Sequence, residues 1–419
     1  MKTYATLILG CKVNNFEAHA IKEQMNKTYQ EVDFKDKADI YIIFSCCVTN
    51  MAESKTRKFI HAARRNNPKA FIVVVGCYSQ TKSDHEVFND VDLIIGSKYK
   101  DRIKEFIDLN MQANKVEDLE NVTFENLYLH EYSDQTRAYL KIQDGCNQFC
   151  SYCVIPYARG QERSAKLENV INEAKELTKT SKEIVLTGIH TGRYFDGENH
   201  LIDLLNELVK IDALKTIRLS SIEVTEITDE IINLMQNNPK LAPHLHIPLQ
   251  AGTNKILNLM NRPYTIEEFK NRVTYIRNLI PNVSISTDLI VGFPNENDDD
   301  FLETIEFLKE IKFSFIHVFP YSRKSKTKAD TMTGHVDERI KKERVKCVIE
   351  TQKPISLAFN QQFLNKEVLV LAETNHNGKT YGHSKEYLSI EIDGVYEPNN
   401  FYNVKINSIS NDKIIGEVI

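Results

Sequence analysis

Three cysteines lie close together in the middle of the chain, within residues 144–156. Cys146, Cys150 and Cys153 are separated by three and then by two residues. Three thiolates at this spacing can hold three corners of a cubane iron–sulfur cluster. A structural zinc site needs four protein ligands, and the sequence places no fourth cysteine or histidine nearby. The spacing therefore favours an iron–sulfur cluster with one iron left free to bind a substrate.

A second group of cysteines follows predicted strands in the first third of the chain. Strands and helices alternate here, which predicts an open parallel sheet whose ligands bind at the carboxyl ends of the strands. Cys11, Cys46 and Cys77 each come just after such a strand. Cysteines are also common at buried strand ends for packing reasons alone. We interpret the three as a second three-thiolate site.

The middle of this second group contains two adjacent cysteines, Cys46 and Cys47. Cys46 directly follows Ser45 at the predicted strand end, much as Cys11 and Cys77 directly follow glycines. Cys46 is therefore our predicted ligand, and an exchange of roles with Cys47 stays open at this level.

The composition is that of an ordinary globular protein. The chain has 419 residues, eight cysteines and a net charge of −5, so two or three domains are expected and nucleic-acid binding requires local basic patches. The first apolar run is too short for a signal peptide, and no run approaches the roughly 20 residues that span a bilayer. We expect no membrane contact and a reducing, cytoplasmic location, where thiols stay free for metal.

Six strand–helix units follow between residues 134 and 353, fewer than the eight of a closed barrel. A partial barrel of this kind has an open side for a large substrate. Polar or glycine residues follow its predicted strands, where barrels place their chemistry. Each one alone could be a turn residue, but around one cysteine array they predict a cofactor pocket. These residues are Gly188, Ser221, Glu223, Gln250 and Gly292.

Residues 354–419 contain short predicted strands separated by turn residues, which is typical of a small all-β barrel. Many such barrels bind oligonucleotides, although acids outnumber lysines here. Basic residues are dense just before this tail and on the helix after the second strand, which more often means a solvated face. We predict RNA contacts, with a tyrosine stacking on a base, at Arg57, Arg64, Arg323, Lys326, Lys342 and Tyr387, with Tyr381 as an alternative stacking residue.

The array of Cys146, Cys150 and Cys153 resembles the signature of radical S-adenosylmethionine (SAM) enzymes. The stretches 9–14, 46–50 and 75–80 resemble the N-terminal cluster motifs of the methylthiotransferases. The similarity covers essentially the whole chain and is greatest to the MtaB-type branch of that family. Further matching stretches are residues 158–164, 185–192, 219–223, 246–250 and 290–294.

The resemblance implies an α/β fold in three parts. An open parallel α/β domain would span residues 1–133, a partial (β/α)6 radical SAM barrel residues 134–353, and a TRAM-like β-barrel residues 354–419. It also implies two [4Fe–4S] clusters, one on Cys146, Cys150 and Cys153 and an auxiliary one on Cys11, Cys46 and Cys77. The implied SAM contacts are Tyr152, Thr187, Gly188, Ser221, Glu223, Gln250, Ile290 and Gly292.

The reaction implied by the resemblance is methylthiolation of C2 of N6-threonylcarbamoyladenosine at tRNA position 37. SAM would donate the methyl group and also supply a 5′-deoxyadenosyl radical, while the auxiliary cluster supplies sulfur. The implied partners are tRNA and an electron donor such as flavodoxin or ferredoxin, and a monomer is expected. Two alternatives stay open: a methylthiotransferase acting on a ribosomal aspartate, and a non-catalytic iron–sulfur RNA-binding protein.

The chain departs from the family pattern at a few positions. Cys47 stands where relatives mostly have threonine, and Asn295 replaces a usual glycine. Lys326 and Lys328 replace a glycine and a proline, so we expect that loop to differ in conformation.

Overall fold

The computed structural model of the chain describes residues 1–82, 85–125, 127–132, 136–410 and 413–419, except for the side chains of residues 85 and 86. The predicted domain boundary at 133/134 lies outside these residues. None of the described helices is both long and apolar enough to cross a bilayer.

The strands and helices are numbered in chain order. The strands are β1 (Thr3–Ile8), β2 (Gln30–Glu31), β3 (Ile40–Ser45), β4 (Phe71–Gly76), β5 (Leu93–Ile95), β6 (Ala113–Lys115), β7 (Arg137–Lys141), β8 (Gln143–Asp144), β9 (Arg163–Ser164), β10 (Glu183–Thr187), β11 (Thr216–Leu219), β12 (His244–His246), β13 (Ser284–Val291), β14 (Phe315–Pro320), β15 (Glu367–His376), β16 (Lys379–Ser384), β17 (Ser389–Asp393), β18 (Phe401–Ile409) and β19 (Ile414–Val418). The helices are α1 (Lys12–Asn26), α2 (Asn50–Asn66), α3 (Cys77–Thr81), α4 (Ile103–Asp108), α5 (Ile155–Arg159), α6 (Leu167–Leu177), α7 (Leu201–Leu208), α8 (Asp229–Asn237), α9 (Asn254–Leu259), α10 (Ile266–Leu279), α11 (Asp298–Ile311) and α12 (Glu338–Gln361).

The first part of the chain forms the predicted open parallel sheet. Its strand order is β2-β1-β3-β4-β5-β6, and every neighbouring pair is parallel. Because helices cover both faces, β3 and the C-terminal five residues of β4 are buried throughout and read as continuous apolar runs. Alternate strand residues pack on α1 on one face and on α2 on the other.

The middle part contains two three-stranded parallel sheets, in the orders β7-β10-β11 and β12-β13-β14. Isolated parallel bridges from Ile217 to Leu241 and from Ser221 to His246 connect the two sheets, and the six strands together are called the half-barrel below. One face of each strand is apolar and packs on the outer helices α6, α7, α8, α10 and α11. The inner face is polar, and its side chains contact one another across the strands.

The C-terminal part is a closed barrel with the order β15-β16-β17-β19-β18, which confirms the predicted β-barrel. The 24-residue helix α12 connects the half-barrel to it, and Phe359 of α12 belongs to the barrel's apolar core. The proposed domain boundary at 353/354 falls inside this helix, which continues through Pro354.

Candidate functional site

The cysteines of the N-terminal sheet follow three adjacent strands. Since β1, β3 and β4 are neighbours, Cys11, Cys46 and Cys77 emerge at the same edge of the sheet. Gly10 precedes Cys11 with φ +100°, and a Cβ there would lie only 2.9 Å from the Cys46 Sγ. Glycine therefore permits the close approach of the Cys11 loop to Cys46.

Asn14 holds two of these strand ends together. Its Nδ2 donates hydrogen bonds to the carbonyl oxygens of Leu9 (2.8 Å) and Ser45 (2.9 Å), just before Cys11 and Cys46. Helix α1 begins at Lys12 with Cys11 at its N-cap, so Asn14 lies in the first turn of the helix. The buried amide fixes the spacing between the two cysteine loops.

Cys46 and Cys47 have different surroundings. Cys46 lies within electrostatic range of both Cys77 and Cys11, and burial raises its pKa to about 12. Cys47 instead donates a hydrogen bond to Cys77. That hydrogen bond, with the Arg159 charge, lowers the pKa of Cys77 to about 6 although burial opposes it. Cys46 is thus the cysteine that stands between the other two strand-end thiols.

The Cys146–Cys153 loop is shaped by positive-φ residues and by donors to sulfur. Gly145 has φ +73° and Phe149 φ +48°. The Gln148 amide lies 3.4 Å from Cys146 Sγ, the Ile155 amide lies 3.4 Å from Cys153 Sγ, and Arg262 Nη1 lies 3.2 Å from Cys150 Sγ. Donors directed at each sulfur stabilise thiolates, so this donor set fits an anionic cluster.

His190 changes the argument against zinc. The sequence placed no histidine near the array, but the structure brings His190 Nδ1 to 3.6 Å from Cys146 Sγ. The ligand atoms of Cys146, Glu162 and His190 lie within 4.8 Å of one another. Burial works to lower the pKa of His190, but its contacts with Cys146, Glu162 and Glu226 raise it to about 12. A protonated imidazole donates hydrogen bonds and does not bind metal.

The residues predicted to contact SAM lie around the C-terminal ends of the half-barrel strands, with Tyr152 in the cysteine loop itself. Glu223 follows β11 and forms an ion pair with Arg262, the residue that also contacts Cys150. Gln250 has φ +66°, and its backbone bridges to β13 at Leu289. The other predicted SAM contacts also lie at or next to strand ends, as expected: Thr187, Gly188, Ser221, Ile290 and Gly292.

A buried ionic network lies between the two cysteine groups. Arg159 is fully buried at the end of α5 and donates to Asp144 (3.2 Å), Glu17 (2.8 Å), Asn14 (2.8 Å) and Cys77 Sγ (3.2 Å). Asp144 in turn accepts from the Gly145 amide, which begins the other cysteine loop. The acids Glu17, Glu125 and Asp144 are compensated by Lys100, Lys141, Arg159 and Arg163. The network therefore links the two loops directly.

The predicted RNA contacts have varied settings. Arg57 donates to the Tyr78 hydroxyl, and Arg64 donates to Asp92 and to three carbonyl oxygens, so both take part in intramolecular contacts. Arg323 is paired with Asp330 at 2.6 Å and Lys326 lies 3.4 Å from the Thr81 carbonyl oxygen, and both are exposed, as is Lys342. These contacts stay predictions.

Tyr387 attaches the C-terminal barrel to the half-barrel. Its ring stacks on His244 (4.7 Å) and His383 (4.8 Å). The guanidinium groups of Arg137 and Arg218 lie 5.2 and 4.8 Å from the ring centroid. The ring is thus already engaged by four side chains, and its stacking on a base stays a prediction.

Sequence reasoning missed Arg159, Arg262 and His190. Arg159 and His190 lie in stretches that resemble the family, but no spacing rule connects them to a cysteine. Arg262 follows the short helix α9, which was not predicted. Their roles depend on partners 44 to 112 residues away.

Comparisons with known proteins agree with this geometry. A model of the radical SAM superfamily matches residues 140–308, and one of the uncharacterized protein family UPF0004 matches residues 3–96. The threonylcarbamoyladenosine tRNA methylthiotransferase MtaB of Bacillus subtilis is 38% identical over 94% of this chain and 91% of its own length. The tRNA-2-methylthio-N(6)-dimethylallyladenosine synthase of Thermodesulfovibrio yellowstonii is 33% identical over 98% of this chain and 97% of its own length.

The fold is also similar to a solved one. The cobalamin-dependent SAM radical enzyme OxsB, with aqua-cobalamin and SAM bound, superposes with a TM-score of 0.51 at 12% identity, over 84% of this chain and 56% of that one. The radical SAM half-barrel, the two cysteine groups and the full-length relatives together show that this chain belongs to the radical SAM tRNA methylthiotransferase family.

Proposed function

We propose that this enzyme methylthiolates C2 of N6-threonylcarbamoyladenosine at position 37 of tRNA. SAM would serve both as methyl donor and as radical source, and sulfur would be held at an auxiliary cluster. The observation that carries the proposal is the link from Cys77 through Arg159 to Asp144, which sets the second cysteine group beside the first. A reaction that moves sulfur onto a radical carbon requires the two sites to be close.

The choice of nucleoside rests on the relatives. Relatives named as MtaB enzymes are 34% to 39% identical to this chain, and relatives named as dimethylallyladenosine synthases are 32% to 34% identical. Both groups cover nearly the whole chain, so the difference is small. The small difference in identity favours the threonylcarbamoyl nucleoside as the substrate. The identity of the N6 substituent therefore needs its own test.

Membership of the radical SAM family implies one [4Fe–4S] cluster and SAM. We assign the ligands as Cys146, Cys150 and Cys153, with the fourth iron open to SAM. When bound, the cluster supplies the electron that cleaves SAM and so starts radical chemistry at an unactivated carbon. The chain's own part is to direct the Arg262 guanidinium and the backbone amides at the sulfurs, and to seat SAM among the strand ends between Thr187 and Gly292.

We assign the second cluster to Cys11, Cys46 and Cys77. The chemistry of this donor set fits: the thiols leave adjacent strand ends, Arg159 donates to Cys77 Sγ at 3.2 Å, and Asn14 fixes the Cys11 and Cys46 loops. A buried guanidinium beside a thiolate stabilises its negative charge. Cys47 would act as a hydrogen-bond donor to Cys77 rather than as a ligand.

Each of the three parts would have its own role. Residues 1–133 would hold the sulfur site, residues 134–353 would hold the SAM site, and residues 354–419 would bind tRNA in the cytoplasm. The exposed Lys326 and Lys342 lie outside the C-terminal barrel and would contact the phosphate backbone. An electron donor such as flavodoxin or ferredoxin would reduce the enzyme, which we expect to be a monomer.

The direct test is the nucleoside content of tRNA from a strain that lacks the gene. Mass spectrometry of digested tRNA should show loss of 2-methylthio-N6-threonylcarbamoyladenosine and its return when the gene is restored. A normal level of this nucleoside in the deletion strain would contradict the proposal. Loss of a methylthio group from a ribosomal aspartate instead would favour the protein-modifying alternative, and absence of SAM cleavage by reconstituted protein would favour a binding module.

A further inference from the structure

One cation stands apart from the ion pairs of the site. Lys12 follows Cys11 at the first position of α1, and the helix has no acidic residue in its first turn. A positive charge at this end is not stabilised by the helix dipole. In the described part of the chain, Lys12 has no hydrogen-bond or ion-pair partner within bonding distance, and its side chain is solvent accessible.

Lys12 extends toward the polar inner face of the half-barrel. Helix α1 lies against the edge strand β7. Lys12 lies within electrostatic range of Arg137, Arg218, Asp288 and His317, which belong to four different strands of that face. The Lys12 side chain therefore lies between the Cys11 loop and the polar face of the half-barrel.

The carboxylates on this face are already paired. Glu183 accepts from Arg218 at 2.9 Å and Arg137 at 3.0 Å, and Asp288 Oδ2 lies 3.3 Å from His246 Nε2. Glu373 likewise forms an ion pair with Arg137. These carboxylates therefore have partners, and Lys12 has none among the described residues, which leaves its ammonium free for an anion that arrives with the substrate.

We propose that the Lys12 ammonium binds the carboxylate of the threonylcarbamoyl group and so selects an anionic N6 substituent over an apolar one. This inference rests on the proposed function. In adenine, C2 and C6 both flank N1, so the N6 substituent and the carbon that receives sulfur share one edge of the base. Lys12 adjoins Cys11 of the sulfur site and therefore lies where that substituent must lie, rather than along the phosphate backbone.

The test uses the reconstituted full chain and two anticodon stem-loop RNAs that differ only at position 37. One carries N6-threonylcarbamoyladenosine and the other unmodified adenosine, and fluorescence anisotropy measures the affinity for each. We expect Lys12→Met to weaken binding of the first RNA about 10- to 100-fold, the worth of one hydrogen bond to a charged group. Affinity for the unmodified RNA should stay within about twofold, because backbone contacts supply it.

Two further variants keep the result interpretable. Lys12→Arg should preserve the preference for the modified RNA, and Lys27→Met, exposed just after the far end of α1, should change neither affinity. Iron content of each variant checks that the clusters are loaded. The inference would be overturned if Lys12→Met bound both RNAs more weakly to the same extent, or bound neither more weakly. In either case, methylthiolation of the modified RNA by the wild-type enzyme would still uphold the proposed function. A wild-type enzyme that methylthiolates neither RNA would overturn both.

Discussion

Arg159 lies in the helix that follows the Cys146–Cys153 loop, yet its Nε donates to the Sγ of Cys77, 82 residues earlier, at 3.2 Å. The same guanidinium also binds Asp144, two residues before Cys146. One buried side chain thus contacts a cysteine of one group and the aspartate that lies at the start of the loop of the other group. This contact makes their proximity a property of the folded chain rather than of a bound substrate.

Removal of Arg159 should destabilise the protein strongly. Arg159→Met leaves Glu17 and Asp144 buried with fewer cations, and breaking a buried network in this way costs about 3–5 kcal/mol of the free energy of unfolding. Denaturant titration of the apoprotein measures the change. Arg102→Met is the control: both side chains of the Arg102–Glu105 ion pair are exposed and screened by solvent, so its loss should change stability little. Equal, small changes in both variants would show that the network does not hold the domains together.

The two adjacent cysteines should respond differently to substitution. Cys46 lies between Cys11 and Cys77, whereas Cys47 contacts Cys77 as a hydrogen-bond donor. We expect Cys46→Ala to lower the iron content from about eight to about four atoms per chain and to abolish methylthiolation. Cys47→Ser keeps a donor to Cys77 and should retain both. The reverse pattern would assign the ligand to Cys47.

The contribution of Glu173 to the stability of the protein should fall as pH rises from weakly acidic to weakly basic. Burial raises the pKa of Glu173 from 4.5 to about 8, although the Leu129 amide donates to its carboxylate. Between these values the unfolded chain has lost the proton that the folded chain keeps, so folding becomes less favourable with rising pH. Glu173→Gln preserves the acceptor and removes the titration.

Urea titration of wild type and Glu173→Gln at pH 5 and pH 8 measures this effect. The variant should gain stability relative to wild type at pH 8 and gain much less at pH 5. A gain of the same size at both pH values would mean that the Glu173 carboxyl is not protonated in the folded protein.

The regular elements were largely predictable because their signals are local. Helices α10 and α11 are examples, because each begins with a capping box that the residue types indicate, Thr265 with Glu268 and Asn297 with Asp300. Helix α12 was not predicted, since Pro354 inside it normally marks a helix end.

The departures from the family pattern also have a local explanation. At Asn295 and Lys326 the resemblance to the family implies glycine, and both residues have a left-handed backbone, with φ +67° and φ +72°. Asparagine tolerates this conformation well, and lysine adopts it at some cost.

The site was predictable only in part. Cysteines at metal-ligand spacing or after predicted strands can be recognised in a sequence, so both groups of cysteines could be predicted. The roles of Arg159, Arg262 and Asn14 depend on contacts between segments that are far apart in the chain. Their residue types and positions in the sequence do not indicate such contacts. The choice between Cys46 and Cys47 as the ligand likewise depends on their side-chain neighbours, which the sequence does not show.

The central claim is that two cysteine groups with separate tasks act on one substrate. Its most direct test is to measure 5′-deoxyadenosine and methylthiolated RNA together, in reconstituted Cys150→Ala and Cys77→Ala proteins given SAM, a reductant and threonylcarbamoyl-modified RNA. We predict that Cys150→Ala forms neither product, and that Cys77→Ala still cleaves SAM but forms no methylthiolated nucleoside. Intact methylthiolation by Cys77→Ala would contradict the account.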